Sequence, residues 1–264
     1  MAHDADLSKW GELGNLVQLP LSYAKAPIVE AILQINVEAS STLSMEELSR
    51  LLGDLEDFQA PEPAIAFDGE VSVVDTEIVN NVKASRLGFV FRRKDGRRVV
   101  QAQRDSFIFS WLPPYSRWEE FVSEAREYWT RYSAAANPVA VTSIGVRTIN
   151  RIPIPDRAAE LRDYVRMSVD IPAYLPQAMN RMFTQVQVPL RMFDATAAIT
   201  TVLQPNAERR AELILDIDIQ KALPLPLSDV AFDDKLSGKL EEARDAKNFV
   251  FEACITDATR GLIS

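Results

Sequence analysis

The chain has 264 residues, 47% hydrophobic and 25% charged, an ordinary globular composition with ample core for one large domain or two modest ones. Its net charge of −9 and pI near 4.8 argue against a general nucleic-acid coat or a binder of anionic membranes, because attraction to phosphate dominates both. Cys254 is the single cysteine, so there is no intrachain disulfide framework. A reducing, cytoplasmic setting is therefore expected, with no membrane partner. No basic-then-apolar leader and no run near the ~20 apolar residues of a bilayer span is visible.

Residues 1–22 are mixed and unpatterned apart from Trp10 and the run Leu16–Leu21, and read as an N-terminal tail. Ala26–Val37 is a predicted strand, apolar enough to suggest burial on both faces for part of its length. Ser44 and Glu47 form a predicted capping box, opening a helix with Leu48, Leu51, Leu52 and Leu55 on one stripe. Pro61 and Pro63 break the chain before a strand over Val71–Val79.

Leu87, Phe89 and Phe91 then alternate with small or polar residues, and the run from Arg92 to Arg98 interrupts. Asp95-Gly96 between two β-rich runs predicts a hairpin with a type I′ turn, in which both central residues take positive φ. Val99–Gln103 and Ser106–Leu112 continue as strands, the second placing Phe107, Phe109 and Trp111 on one face. Pro113-Pro114 ends that run, and Ser116 with Glu119 reads as a second capping box. Trp118, Phe121, Val122, Ala125, Tyr128, Trp129 and Tyr132 follow at helical spacing, a stripe expected to pack as core.

After Asn137-Pro138 the order restarts. Val139–Ile154 is a long predicted strand, Asp156–Met167 a helix, and Asp170–Met182 irregular. Three strands follow over Phe183–Leu190, Ala195–Gln204 and Ala211–Lys221. Pro224 and Pro226 break the chain, and a helix is expected over Asp233–Thr259 with Gly261 as its stop. The expected class is α+β, antiparallel sheets with long helices on one face. The element order suggests a tandem duplication, with a tail at 1–22 and strand–helix–strands–helix units at 23–137 and 138–264.

Short motifs in a fixed order carry a likeness. They are Lys25–Ala31 (KAPIVEA), Trp118 with Phe121, Ser143–Pro153 (SIGVRTINRIP), Leu215–Asp218 (LDID) and Phe251–Thr256 (FEACIT). Together they resemble a sporadically distributed bacterial family of uncharacterised proteins of about this length, over nearly the whole chain from Tyr23. Thr148 departs from the pattern, which has an aromatic after the motif arginine. The resemblance implies no activity; its sporadic distribution points to a defence or mobile-element context.

Catalytic signatures are missing. The single histidine, His3, lies in the tail, so histidine-based hydrolysis and histidine–cysteine zinc sites are excluded, and nine glycines include no phosphate loop. Cys254 has no adjacent base and reads as helix packing. Asp216 and Asp218 share a strand face, the arrangement of many magnesium-dependent phosphoryl-transfer sites. The apolar set Leu213, Leu215, Ile217 and Ile219 opposite them favours a solvated polar face instead. No metal, cofactor or catalytic residue is therefore expected, and Asp216 and Asp218 stay as weak metal candidates. Two basic clusters are ligand candidates: Arg92, Arg93, Lys94, Arg97 and Arg98 at the hairpin tip, and Arg147, Asn150 and Arg151 on the long strand. Arg147 and Arg151 lie about 13 Å apart on one face, suited to an extended anion or to two salt bridges. The expected function is non-enzymatic binding or interaction, with a protein partner or as a homo-oligomer. The alternatives are a nucleic-acid- or nucleotide-binding effector, which the net charge does not favour, and a magnesium-dependent phosphoryl-transfer enzyme.

Overall fold

The computed structural model of the chain describes residues 23–74, 77–155, 160–177, 179–205 and 211–264. The elements in order are β1 (Ile28–Glu38), α1 (Met45–Ser49), β2 (Glu62–Val74), β3 (Glu77–Arg92), β4 (Arg98–Gln103), β5 (Ser106–Trp111) and α2 (Trp118–Ala136). After them come β6 (Ala140–Pro153), a 3₁₀ turn (Leu161–Asp163), β7 (Met182–Leu190), a second 3₁₀ turn (Arg191–Phe193), β8 (Ala195–Pro205), β9 (Ala211–Pro226), α3 (Phe232–Cys254) and α4 (Asp257–Ile263). The strands form a nine-stranded antiparallel sheet in the order β2-β3-β4-β5-β1-β6-β9-β8-β7, and the class is α+β. The tail at 1–22, with His3, lies outside the described residues. Among the described residues no helix is long and apolar enough to cross a membrane.

The chain divides into two compact units, one of residues 30–144 and 222–234, the other of residues 145–221 and 235–264 with the segment up to Val29. In the first, β1 pairs with β5 (Leu33 opposite Phe109) and β5 with β4 (Val100 opposite Phe109). The aromatic stripe of α2 is buried, as its spacing predicted. Phe109, fully buried, stacks on Phe121 at 5.4 Å and meets Tyr128 at 5.4 Å, while Phe107 meets Trp129 at 5.7 Å. Burial drives the Tyr128 and Tyr132 hydroxyls well above the ordinary tyrosine range, and Tyr132 donates to the Gln103 carbonyl at 2.8 Å. At Gly88 any side chain would run into the Ala102 carbonyl of β4, so only glycine lets the two strands close here.

Four local expectations for this unit are corrected. Gly96 alone takes a positive φ (71°) in the hairpin: its amide closes a turn on the Arg93 carbonyl while the Asp95 carboxylate accepts from the Arg97 amide, so no type I′ turn forms. The strand read over Val71–Val79 is the meeting point of β2 and β3, with Val74 opposite Glu77, and Pro63 lies inside β2. Ser44 caps α1 by accepting from the Glu47 amide, but the helix lasts only five residues. Ser116 does not cap α2; its hydroxyl donates to the Glu120 carboxylate, and Arg117 is the cap residue. The helix stops where expected, with Asn137 left-handed (φ 42°) ahead of Pro138.

In the second unit Leu213, Leu215, Ile217 and Ile219 of β9 are fully buried, as are Leu236, Leu240, Ala243, Ala246 and Val250 of α3. The helix expected over Asp156–Met167 is absent from residues 160–167; residues 156–159 lie outside the described residues. One 3₁₀ turn forms, and Val165 then bridges Ile255 while the Arg166 amide donates to the Cys254 carbonyl. That same contact ends α3 at Cys254, and Thr256 caps a separate α4, so Gly261 lies within a helix and is not a stop. Pro224 and Pro226 do not break β9 but end it: β8 begins at Ala195 and its pairing with β9 runs only to Gln220, so beyond Gln220 β9 makes no hydrogen bonds with β8.

Phe109→Ala should cost about 3–5 kcal/mol, the usual cost of emptying a packed phenylalanine site. Urea unfolding followed by tryptophan fluorescence checks this, with a lower midpoint at unchanged slope as the expected result.

Candidate functional site

Strand alternation decides where each candidate residue of the second unit points. In β6, Thr148 and Asn150 are buried while Arg147 and Arg151 stand on the opposite face. Asn150 thus leaves the predicted trio: its amide donates to the Leu215 carbonyl at 3.0 Å. The even-numbered residues of β9 share the outer face with the two arginines. Arg147 makes a bidentate pair with Asp216, Nε to Oδ1 at 2.8 Å and Nη2 to Oδ2 at 2.5 Å. Arg151 meets Glu212 at 3.4 Å. The arginine spacing is met by carboxylates of the same chain.

Both Asp216 oxygens accept from Arg147, and Asp218 accepts from the Gln220 amide at 2.8 Å. Among the described residues no group of three or more histidine, cysteine or acidic side chains is placed to hold a metal. Burial, helped by the neighbouring Asp216 charge, raises the Asp218 carboxyl above the ordinary aspartate range, while the Gln220 bond and Arg147 pull it down.

The hairpin-tip cluster in the first unit also disperses. Arg98 is buried, lies over the Trp111 ring at 3.2 Å and pairs with Glu124 at 2.7 Å. Arg93 is held by Asp57 at 3.0 Å and reaches Asp95 and Glu124; Arg92 meets Glu62 at 3.6 Å. Lys94 and Arg97 remain at the exposed tip. Glu124, which also accepts from the Tyr128 hydroxyl, sits at the wall of an open cleft of about 570 Å³ whose other charged walls include Asp57, Arg93, Glu127 and Arg131. Sequence reasoning missed Glu124 because its partners come from a hairpin some 26 residues earlier.

Two further buried charges of the second unit hold structure. Lys221 is 2% exposed and donates to the Phe193 and Asp194 carbonyls and to Glu242. Glu252 accepts from the Tyr23 hydroxyl at 2.6 Å and from Arg260 at 2.9 Å, and burial with that carboxylate pushes the Tyr23 hydroxyl up to about 12. Burial pushes the Cys254 thiol up to about 11, which removes it as a nucleophile at neutral pH.

The surface that sequence reasoning left unremarked is β7. It is the last strand in the sheet order, its residues Met182–Leu190 (MFTQVQVPL) carry no charge, and Gln185 through Pro189 are exposed. Phe183 (69% exposed), Val186 (37%) and Val188 (38%) are uncovered. The sequence alone does not single this edge out, because the uncharged runs Ser133–Val146 and Ala195–Ala207 are longer.

Two outcomes check this description. Arg147→Ala should destabilise by about 1–3 kcal/mol, because it leaves the half-buried Asp216 without its partner, and the double replacement with Asp216→Ala should recover part of that loss. The folded-state pKa of Asp218 lies above its unfolded value, so its stability contribution is full below the ordinary aspartate range and is lost as pH rises through the raised value. Asp218→Asn should therefore gain stability relative to the parent as pH rises through that window, read by denaturation across pH 3 to 7.

Compared with protein-family models and with curated proteins, the chain matches none.

Proposed function

We propose that the chain is a non-enzymatic interaction protein that takes an extended segment of a protein partner onto β7 by strand addition. The observation that carries this reading is the uncharged, uncovered edge strand. Soluble proteins blunt such edges with lysines, inward charges or a covering element, since a bare row of amides and carbonyls recruits further strands. Here no charge falls between Met182 and Leu190, and Pro189 alone removes a donor. The candidate anion sites point away from the alternatives, because Arg92, Arg93, Arg98, Arg147 and Arg151 each have a carboxylate of the same chain within 4 Å. The resemblance to a sporadically distributed bacterial family supports a partner encoded nearby, in a defence or mobile-element setting.

A tandem origin of the segments 23–137 and 138–264 fits the same reading. Each opens on a strand, β1 or β6, that pairs with the last strand of the run that follows, β5 or β9, before a long helix.

The test is affinity purification of the tagged chain from its native host, followed by hydrogen exchange on the complex. The amides of β7 should exchange at least about ten times more slowly in the complex than in the free chain. Gln187→Lys, at an exposed position of the outer face opposite Ala198, puts a charge on the edge and should lose the partner while leaving circular dichroism unchanged. A partner that leaves β7 exchange unaltered, or a chain recovered alone, overturns the reading.

A further inference from the structure

The geometry points to the partner's chemistry: an extended segment with an uncharged, β-branched centre and a carboxylate at each end, about 30 Å apart. This rests on the strand-addition reading and adds to it the identity of what is bound. The residue before β7 is Arg181 and the residue after it is Arg191, and both are exposed. Neither makes an ion pair among the described residues, in contrast to the paired arginines of β6. An acidic chain thus carries an uncharged edge bracketed by two available guanidinium groups.

The two ends differ in shape. Arg181 lines a shallow cleft of about 360 Å³ with Phe183, Val202, Gln204 and Pro205. This cleft suits a carboxylate together with an apolar neighbour, since the exposed Phe183 shares its lining with Arg181. At the other end Arg191 is followed by Met192, 64% exposed. Asp194 just beyond it is an exposed carboxylate that the buried Lys221 reaches at 3.7 Å. Between the ends, Gln185 and Gln187 share one face of β7, and Thr184, Val186 and Val188 the other. An added strand of alternating threonine and valine matches both faces, and cross-strand pairs of this kind stabilise a ladder.

The same bracket disfavours a second copy of this chain. Antiparallel self-pairing centred on Val186 sets Gln185 against Gln187 and Thr184 against Val188, an acceptable match. It also brings Arg181 towards Arg191 at both ends, just beyond the paired residues, and like charges brought together there disfavour the pairing. A foreign segment with acidic ends turns those two repulsions into two attractions.

The probe is a synthetic peptide of about eleven residues, alternating threonine and valine with glutamate at both ends; the control carries lysine at both ends. Each is titrated into the full chain at low and at physiological salt, with β7 amide shifts read by nuclear magnetic resonance. The glutamate peptide should bind at least about tenfold more tightly, with the difference shrinking as salt rises. The double variant Arg181→Glu/Arg191→Glu should reverse the preference while its circular dichroism stays that of the parent. Equal binding of both peptides at β7 overturns the acidic-end inference and leaves strand addition standing. If neither peptide shifts β7 while a partner purified from the host does protect it, the inferred chemistry is wrong but the docking strand is right. Light-scattering mass of two chains, reduced to one by Gln187→Lys, would give the strand to a second copy and overturn the inference.

Discussion

Every candidate in the second unit answers to one constraint: side chains of a strand alternate between two faces, and one face is committed to the core. With Leu213, Leu215, Ile217 and Ile219 buried, Glu212, Asp216, Asp218 and Gln220 have only the other face to occupy. The same parity in β6 sends Arg147 and Arg151 to that face and Asn150 away from it. Antiparallel register then brings two arginines against two carboxylates. What reads in one dimension as a basic site and a separate acidic site is one compensated surface. Desolvation favours that outcome, because a half-buried carboxylate is costly without a partner and Arg147 supplies two hydrogen bonds at once.

Much of the architecture was legible because burial and period agreed. The α2 stripe, the core face of Phe107, Phe109 and Trp111 and the Asn137-Pro138 break all follow from spacing alone, and each is where the pattern put it. Elsewhere a pairing distant in sequence outweighed the local signal. Leu161 and Val165 stand four apart, as on a helix face, yet Val165 is claimed by Ile255. The amide of Arg166 caps the end of α3, so one contact removes an expected helix and divides another. The Asp95-Gly96 pair signalled a hairpin correctly and its turn type wrongly. The Asp95 side chain bonds the Arg97 amide, and this local competition sets the turn.

The candidate site was less legible than the fold for a physical reason. A charged residue announces itself in the sequence but its partner does not. Arg98, counted among exposed tip residues, is buried over the Trp111 ring and bound to Glu124 of α2, because β4 begins at Arg98 and pairs it with Trp111 of β5. Glu252, set in a helix that reads as ordinary, is buried because Tyr23 and Arg260 converge on it. A composition scan ranks such residues by charge, whereas the fold ranks them by what is left unpaired.

By that ranking the informative surface is the one where charge is lacking. A chain of net charge −9 repels copies of itself, so uncharged edges are where contact costs least. The nine strands leave two ends, β2 and β7. The β2 end carries three acids along its sequence, Glu62, Asp68 and Glu70, and Glu62 meets Arg92 at 3.6 Å. The β7 end has no carboxylate from Arg181 to Met192, and its only charges are the two arginines outside the strand. Backbone pairing along β7 would supply affinity to any extended segment, since amides and carbonyls do not read sequence. Discrimination has to come from the ends, where a matched charge adds a hydrogen-bonded pair and a mismatched one adds repulsion. The guanidinium pair therefore acts as a selectivity device placed on an otherwise permissive edge.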